Sequence, residues 1–481
     1  MLAAHAVARV RAAERELMAA LPPGALMARA ATGLAHACVD ELGGAYGRDV
    51  LLLVGTGDNG ADALLAGAQL AGRGARVTAL CSGTPVADAA AALRAAGGRV
   101  GGPPPRTADR VVDGLTGIGG RGGLRPEAVA VWQAGLLTGA PVVAVDLPSG
   151  VDADTGAVAG SAVHADATVC FGTLKPGLLV GEGRRRAGRV RLVDLGLGPV
   201  LPPPDVEVLE AGDVATGVAD DGQDTDKYRR GVVGVVAGSE RYTGAAVLAV
   251  GAALAAGAGM VRFAGHPHAA AQVRARWPEA VVTEATGADV TAAGRVQAWV
   301  VGPGLGTDDV AAAAVEAVLA GGVPVLVDAD ALTVCAARPH LLRDRAAATV
   351  LTPHDREYAR FGREVGDDRV GAARALAGDL GAHVLLKGVA TVVAGPDGPA
   401  RVNATGTPAL ATAGSGDVLA GGAGALLALL DDEPLLAASS AAHLHGLAGS
   451  LSAAGASTTA ERVLAAWPDA VRAVRAATLP G

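Results

Sequence analysis

Short runs of Val and Leu alternate with longer Ala-rich runs along almost the whole of this 481-residue chain, and this alternation limits its fold more than any other feature. Apolar runs bounded by glycine or polar residues predict strands buried on both faces. The Ala-rich runs between them predict helices, so the chain reads as α/β with largely parallel sheets. Val50 to Val54 is such a strand, Ala61 to Gly72 its helix, and Val77 to Cys81 the next strand. Val111 to Asp113, Val142 to Asp146 and Thr168 to Phe171 continue the series. After Leu197, Pro199 and Pro202-Pro203-Pro204 stiffen the chain, and an acidic stretch follows with Asp213, Asp220, Asp221, Asp224 and Asp226. A second series begins at Val232 to Ala237, led in by Lys227-Tyr228-Arg229-Arg230-Gly231, and runs through Ala298 to Val301, Val325 to Asp328, Thr349 to Thr352, Val384 to Lys387 and Thr391 to Val393. The expected division is a domain at 1–200, a Pro-rich acidic linker at 201–221, and a second domain at 222–481.

Hydrophobic residues make up 51% of the chain but aromatics only 2%, so the core must be built from Ala, Val and Leu. The uncharged run Thr243 to Val261 has the length of a membrane span, but its Ala and Gly content predicts a buried, closely packed helix. A net charge of −8 leaves no basic footprint for nucleic acid, and Arg184-Arg185-Arg186 reads as a solvated turn. Cys38, Cys81, Cys170 and Cys335 form no Cys-x-x-Cys pair, which suits buried thiols in a reducing compartment. Arg9, Arg11, Glu14, Arg15 and Glu16 precede any long apolar run, so no signal peptide is expected. A cytoplasmic enzyme follows, assembled as a homo-oligomer, with small-molecule substrates and neither membrane nor nucleic acid as partner. His266-Pro267-His268 reads as a surface loop, and His443 and His445 fall on opposite helix faces rather than forming a ligand pair.

Ligands of open parallel sheets bind beyond the C-terminal ends of the strands. Here those ends carry Gly55 to Gly60, Asp113, Asp146, Gly238-Ser239, Gly302 to Gly306, Asp328, His354 and Lys387-Gly388, so both halves are expected to bind ligands. The sharpest motif is Ala411-Thr412-Ala413-Gly414-Ser415-Gly416-Asp417, followed by the apolar run Val418 to Leu430. A glycine turn opening a helix offers free N–H groups to an anion. A carboxylate there repels a phosphate but serves as a base toward a hydroxyl while the N–H groups hold a transferring phosphoryl group. Basic Lys387 with Gly388 suits a nucleotide phosphate, and Asn403 and Thr405 are candidates to hydrogen-bond a phosphate or the partner substrate.

In the first half, Gly55-x-Gly57-Asp58-Asn59-Gly60-Ala61-Asp62 follows a strand and opens a helix. Asp113 to Gly123 is a long Gly-rich loop, and Asp146-Leu147-Pro148-Ser149-Gly150 ends another strand. Asn59, Asp113 and Ser149 are candidate oxygen ligands for one hard cation. With Lys175-Pro176-Gly177 and Leu26 to Ala30, these segments resemble the NAD(P)H-hydrate epimerase family over residues 1 to 200. The resemblance implies a Rossmann-like parallel-sheet domain, with the hydrated nucleotide contacted by Asp58, Asn59, Gly60, Ala61, Asp62, Gly117, Ile118, Gly119, Gly120, Arg121, Gly122, Gly123 and Asp146. It also implies a potassium ion on Asn59, Asp113 and Ser149. Asp58, Ala61 and Ala63 stand where the family pattern has Asn, Gly and Gly, and Thr116 and Ile118 break its L-G-T-G order.

The second half carries Gly302 to Gly306, Asp328-Ala329-Asp330-Ala331-Leu332, Thr352-Pro353-His354, Lys387-Gly388, Asn403-x-Thr405-Gly406, the Asp417 motif and Leu444-His445-Gly446. This ordered set resembles the ADP-dependent NAD(P)H-hydrate dehydratase family, of ribokinase-like fold, over about residues 222 to 470. The resemblance implies that Ala245, Gly306, His354 and Asp417 meet the hydrate. It places Lys387, Gly388, Val389, Ala390, Thr391 and Gly416 around the adenine nucleotide, with magnesium on the phosphates of ADP as co-substrate. Asp417 is the implied catalytic base. Asp355-Arg356 replaces the family's Pro-Gly, and Thr407, Ala409 and Leu410 replace its Asn, Gly and Met. The alternative is a small-molecule hydroxyl kinase of the same fold, with a non-catalytic N-terminal binding module.

Overall fold

The computed structural model describes residues 1–218, 229–343, 345–430 and 432–477. The chain forms two compact units, Ala3–Val206 and Met1–Leu2 with Glu207–Gly481. A short strand β1 (Leu2–Ala4) opens the chain. The strands of the first unit are β2 (Asp49–Val54), β3 (Arg76–Cys81), β4 (Arg99–Val100), β5 (Arg110–Gly114), β6 (Val142–Val145), β7 (Ala167–Phe171) and β8 (Arg189–Val193). They form one parallel sheet in the order β4-β3-β2-β5-β6-β7-β8. β2 and β5 are fully covered apart from Asp49, which is why they read as continuous apolar runs. The order reverses between β2 and β5, and the crevice beyond their C-terminal ends is where such sheets bind ligands. Helix Asp58–Gly72 starts three residues before the expected Ala61, so Asp58, Asn59 and Gly60 are its first turn.

The second unit holds β9 (Val206–Val208), β10 (Val232–Val236), β11 (Met260–Gly265), β12 (Val281–Glu284), β13 (Ala298–Val301), β14 (Val325–Val327), β15 (Thr349–Leu351), β16 (His383–Leu386), β17 (Val392–Ala394) and β18 (Ala400–Val402). From β9 the order is β9-β18-β17-β16-β15-β14-β13-β10-β11-β12. The strands from β12 to β16 run parallel and β17 and β18 antiparallel. The reversal falls between β10 and β13, whose ends carry Gly238 and the Gly302–Gly306 loop.

Three expectations need correction. Thr243 to Val261 is not one helix: the helix spans Thr243–Ala255, and the chain turns through Gly257 at φ 95° into β11. Residues 201–221 are not plain linker. Val206 and Val208 are buried on either side of Glu207, which pairs with Arg401 at 3.0 Å, and Ala211–Gly217 is a helix opened by a Glu210–Asp213 capping box. Asp220, Asp221, Asp224, Asp226, Lys227 and Tyr228 lie outside the described residues. The expected His266–His268 loop is instead the start of helix Pro267–Arg276, with His266 as N-cap. All four cysteines are free, and Cys38, Cys170 and Cys335 are buried.

The helix behind the Asp417 motif, Ser415–Leu429, is buried on nearly every side. Glycine makes this possible. A Cβ on Gly421 would lie 2.1 Å from the Ala249 carbonyl oxygen, one on Gly422 would lie 2.3 Å from the Trp467 ring, and one on Gly424 would lie 2.1 Å from Val300. Small residues thus replace aromatic bulk with close backbone approach. Gly421→Ala is expected to destabilise the protein by about 1–3 kcal/mol through overpacking against backbone, measured by urea unfolding.

Candidate active sites

In the first unit the loops after β2, β5 and β6 frame a cleft of about 690 Å³. Its wall includes Asp58, Asn59, Asp62, Gly117, Ile118, Gly119, Gly120, Arg121, Gly123 and Asp146, all expected there from sequence. Gly60, Ala61 and Gly122 are not in that wall. Gly60 packs under Gly55, where a Cβ would lie 2.3 Å from the carbonyl oxygen, and Ala61 is fully buried. Gly122 is exposed, at a φ of 77°. Ala63 also faces the core, its methyl 2.7 Å from the position a Cβ on Gly114 would take. Of the three replaced positions in this segment, only Asp58 meets the cleft.

Asp113 and Ser149 are both fully buried and bonded to each other. Ser149 donates its Oγ to Asp113 Oδ1 at 2.7 Å and its N–H to Oδ2 at 2.8 Å, while the Thr116 N–H donates to Ser149 Oγ at 2.8 Å. Gly117 follows Thr116, and a Cβ there would lie 3.0 Å from Asn59 Oδ1. One loop therefore gathers all three candidate cation ligands. Burial pushes the Asp113 carboxyl up to about 6 despite its hydrogen bonds from Ser149 and Leu115. The three side chains offer oxygen donors, and among the described residues no cation shifts the Asp113 carboxyl, so the residues fit a hard cation.

Sequence reasoning missed a buried ion pair. Lys175, 1% exposed, donates its Nζ to Asp146 Oδ1 at 2.5 Å and to the Phe171 carbonyl at 2.9 Å. Burial works against the ammonium, but Asp146, with Cys170 and Glu14, holds it above the usual lysine value. Asp146 adopts φ 66°, a left-handed conformation that costs a non-glycine residue. Its Oδ1 also accepts from the Phe171 N–H at 3.1 Å. Helix Val7–Ala20 adds Arg11, Glu14 and Arg15 to the cleft wall, also unforeseen. Their one-turn spacing was the available signal, but only the tertiary fold brings that helix here. Burial, then the charges of Asp146, Asp58 and Glu14, push Asp62 up to about 8.

In the second unit Asp417 lies in the first turn of helix Ser415–Leu429, whose N-cap Gly414 has φ 83°. Burial and the charge of Asp328 push its carboxyl up to about 7, Lys387 opposes them, and Asp330 adds to them. Lys387 Nζ sits 3.7 Å from the position a Cβ on Gly416 would take, and is bonded to Asp328 Oδ1 at 2.8 Å, with Glu357 Oε2 at 3.5 Å. Glu357 Oε2 accepts from the His354 N–H at 2.9 Å, and the Glu357 N–H donates to His354 Nδ1 at 3.2 Å. Ala245 packs on the Gly302–Gly306 loop, its Cβ 2.8 Å from the position of a Cβ on Gly304, and the Gly306 N–H donates to Asp330 Oδ2 at 2.9 Å. Thr391 donates its Oγ1 to the Gly388 carbonyl at 2.9 Å, closing a turn through Val389 and Ala390. Lys387, Glu357 and Asp330 thus connect Gly416, His354 and Gly306 to the surroundings of Asp417. Asn403 and Thr405 are bonded within the protein. Asn403 Nδ2 donates to the Ala442 carbonyl at 2.9 Å and Thr405 Oγ1 to the His443 carbonyl at 2.7 Å, tying their loop to helix Pro434–Ala453. His445 is also buried, which pulls it down to about 4.

Two α/β units, one with a carboxylate-lined cleft and one with a buried carboxylate in the first turn of a glycine-capped helix, define a class of two-domain enzymes acting on small molecules. Residues 233–467 match the NAD(P)H-hydrate dehydratase family, and residues 23–177 match the YjeF-related protein N-terminus family. The chain is 52% identical to the bifunctional NAD(P)H-hydrate repair enzyme Nnr of Mycobacterium leprae, over 88% of this chain and 89% of that one. It is 35% identical to the enzyme of the same name from Corynebacterium glutamicum, over 88% and 86%. The chain belongs to the bifunctional NAD(P)H-hydrate repair enzyme family. A ribokinase-like superfamily protein from Enterococcus faecalis aligns with a TM-score of 0.51 at 24% identity, over 57% of this chain and 98% of that one, which shows the fold of the second unit.

Removing one partner of a buried ion pair leaves an uncompensated charge. Lys175→Met is therefore expected to cost about 3–5 kcal/mol of stability, read from urea unfolding of the full chain.

Proposed function

We propose that this chain repairs hydrated NADH and NADPH, residues 1–200 interconverting the R and S hydrates and residues 222–481 dehydrating the S hydrate at the expense of ADP. The observation that carries the reading is Asp417, a buried carboxylate in the first turn of a glycine-capped helix, in a chain that also has a carboxylate-lined cleft. At about 7, Asp417 is substantially ionised at neutral pH and still basic enough to accept a proton. It takes the proton of the ring hydroxyl as that oxygen attacks the terminal phosphoryl of ADP. The bond to AMP breaks, and N–H groups of Gly414 to Gly416 hold the moving charge. Phosphate then leaves the ring carbon with its bonding electrons, a proton leaves the neighbouring carbon, and the double bond of NAD(P)H is restored. Magnesium enters as counter-ion of the nucleotide phosphates.

In the first cleft, Asp62 at about 8 is protonated at neutral pH. It protonates the ring hydroxyl, water departs, and water returns to either face of the ring. Arg11, Arg15, Arg121 and Arg125 line the same cleft and supply the positive charge that nucleotide phosphates need. Asn59, Asp113 and Ser149 would hold potassium, which would supply positive charge beside the buried Asp113 carboxyl. Cytoplasmic location and assembly as a homo-oligomer belong to this reading, and light scattering of the purified chain measures the second. Among the described residues no helix is long and apolar enough to cross a membrane.

Mixed hydrates incubated with the full chain, ADP and magnesium are expected to regain reduced-nicotinamide absorbance. A stable phosphorylated product made from ATP would instead mark a hydroxyl kinase. Asp417→Asn is expected to lower the dehydration rate by about 10²–10⁴-fold while exchange between the R and S hydrates continues. Because the base must be ionised, kcat/KM of dehydration is expected to fall as pH drops below about 7.

A further inference from the structure

The Asp328-Ala329-Asp330 turn at the end of β14 is built at a cost. Ala329 has φ 51°, a conformation that L side chains rarely adopt. Gly302, at φ 124°, opposes it, and a Cβ there would lie 1.9 Å from the Asp328 carbonyl oxygen. Such strain persists only where the surroundings over-determine it. Here it aims two carboxylates. Asp330 receives the Gly306 N–H, and Asp328, 1% exposed, receives Lys387 Nζ at 2.8 Å and Thr352 Oγ1 at 2.7 Å on the same oxygen.

Lys387 is the cation expected to meet the nucleotide, yet its ammonium is held by two carboxylates on the protein side. A flexible lysine left to itself has several orientations. Pinned by Asp328 and Glu357, it has one, with Nζ beneath Gly416. We propose that Asp328 is a positioning residue of phosphoryl transfer, which acts through Lys387 by fixing the ammonium beneath the Gly414–Asp417 cradle and balancing its charge against Asp417. The inference rests on the dehydratase reading of this site.

The charged groups around Asp417 are Asp328 and Asp330 beyond β14, Lys387 beyond β16 with Glu357 behind it, and buried His445, which hydrogen-bonds at Ser415. Helix Thr243–Ala255, packed along the same helix, carries no charge. Asp328 pushes the Asp417 carboxyl up and Lys387 pulls it down, so the two have opposite signatures in a pH profile. A role in folding alone has no such signature.

The experiment is a cycle in the full chain, reading dehydration of the hydrate with ADP and magnesium, with the parent as the check on the dehydratase reading: a parent that does not turn over overturns that reading, whereas the cycle tests Asp328 in an active parent. Asp328→Asn keeps an oxygen acceptor and loses the charge. It is expected to lower kcat by about 10²-fold and to move the acid limb of kcat/KM to lower pH. Lys387→Met is expected to move that limb to higher pH. In the Lys387→Met background, Asp328→Asn is expected to lower kcat no further, because the residue it acts through is already gone. Multiplicative losses in the double variant, or an acid limb that Asp328→Asn leaves in place, overturn the proposal. Should Asp328→Asn not fold, Thr352→Val removes the other donor to the same oxygen and is expected to show the same non-additive loss with Lys387→Met. Additive losses there overturn it equally.

Discussion

A buried ammonium–carboxylate pair lies at the carboxyl edge of each sheet: Lys175 with Asp146 after β6, and Lys387 with Asp328 after β14. Such pairs are poor investments in stability, since desolvating two charges can cost as much as their attraction returns. Their value lies in orientation. Each sits beside one of the few non-glycine residues with positive φ among the described residues, Asp146 itself at 66° and Ala329 at 51°. Strained backbone aims the carboxylate, and the lysine holds it there. The loops that make each site are then arranged around fixed charges rather than mobile ones.

The second requirement is that the elements carrying those groups do not shift. Helix Ser415–Leu429 meets its neighbours through Gly421, Gly422 and Gly424, and its backbone comes within side-chain distance of Ala249, Trp467 and Val300. Packing this close leaves little room for sliding, so the position of Asp417 is set by core contacts several turns away. A chain with 2% aromatic residues builds a rigid core in this way because it has few large rings to interlock.

Much of this was legible in the sequence. Central parallel strands are buried on both faces, so they read as apolar runs, and the polar residues at their ends, Asp113, Asp146 and Asp328, lie at the edge where such sheets bind ligands. Edge strands were not legible. β8 is exposed over most of its length and alternates Arg with Val and Leu, and β12 is mostly half-exposed, so neither shows a buried run. The Thr243 to Val261 run misled because Ala and Gly have no contrast from which a period can be read. Partners distant in sequence were also invisible. Arg11, Glu14 and Arg15 join the first cleft only through the fold, and the carbonyl that Asn403 binds, on Ala442, comes 39 residues later.

The replacements in the first cleft show why position outweighs identity. Ala61 and Ala63 stand where the family pattern has glycine, and both methyl groups point into the core, Ala63 against a glycine at 114 that leaves room for it. Neither lines the cleft. Asp58 does, and it changes the site's charge rather than its shape. Its carboxylate joins Asp146 and Glu14 in making ionisation of Asp62 harder, which favours the protonated form of that buried group. The same charge opposes a nucleotide phosphate, and four arginines in the wall, at 11, 15, 121 and 125, stand against it. The cleft wall thus sets a carboxylate that keeps Asp62 protonated against arginines of opposite charge, and the two effects act on different groups.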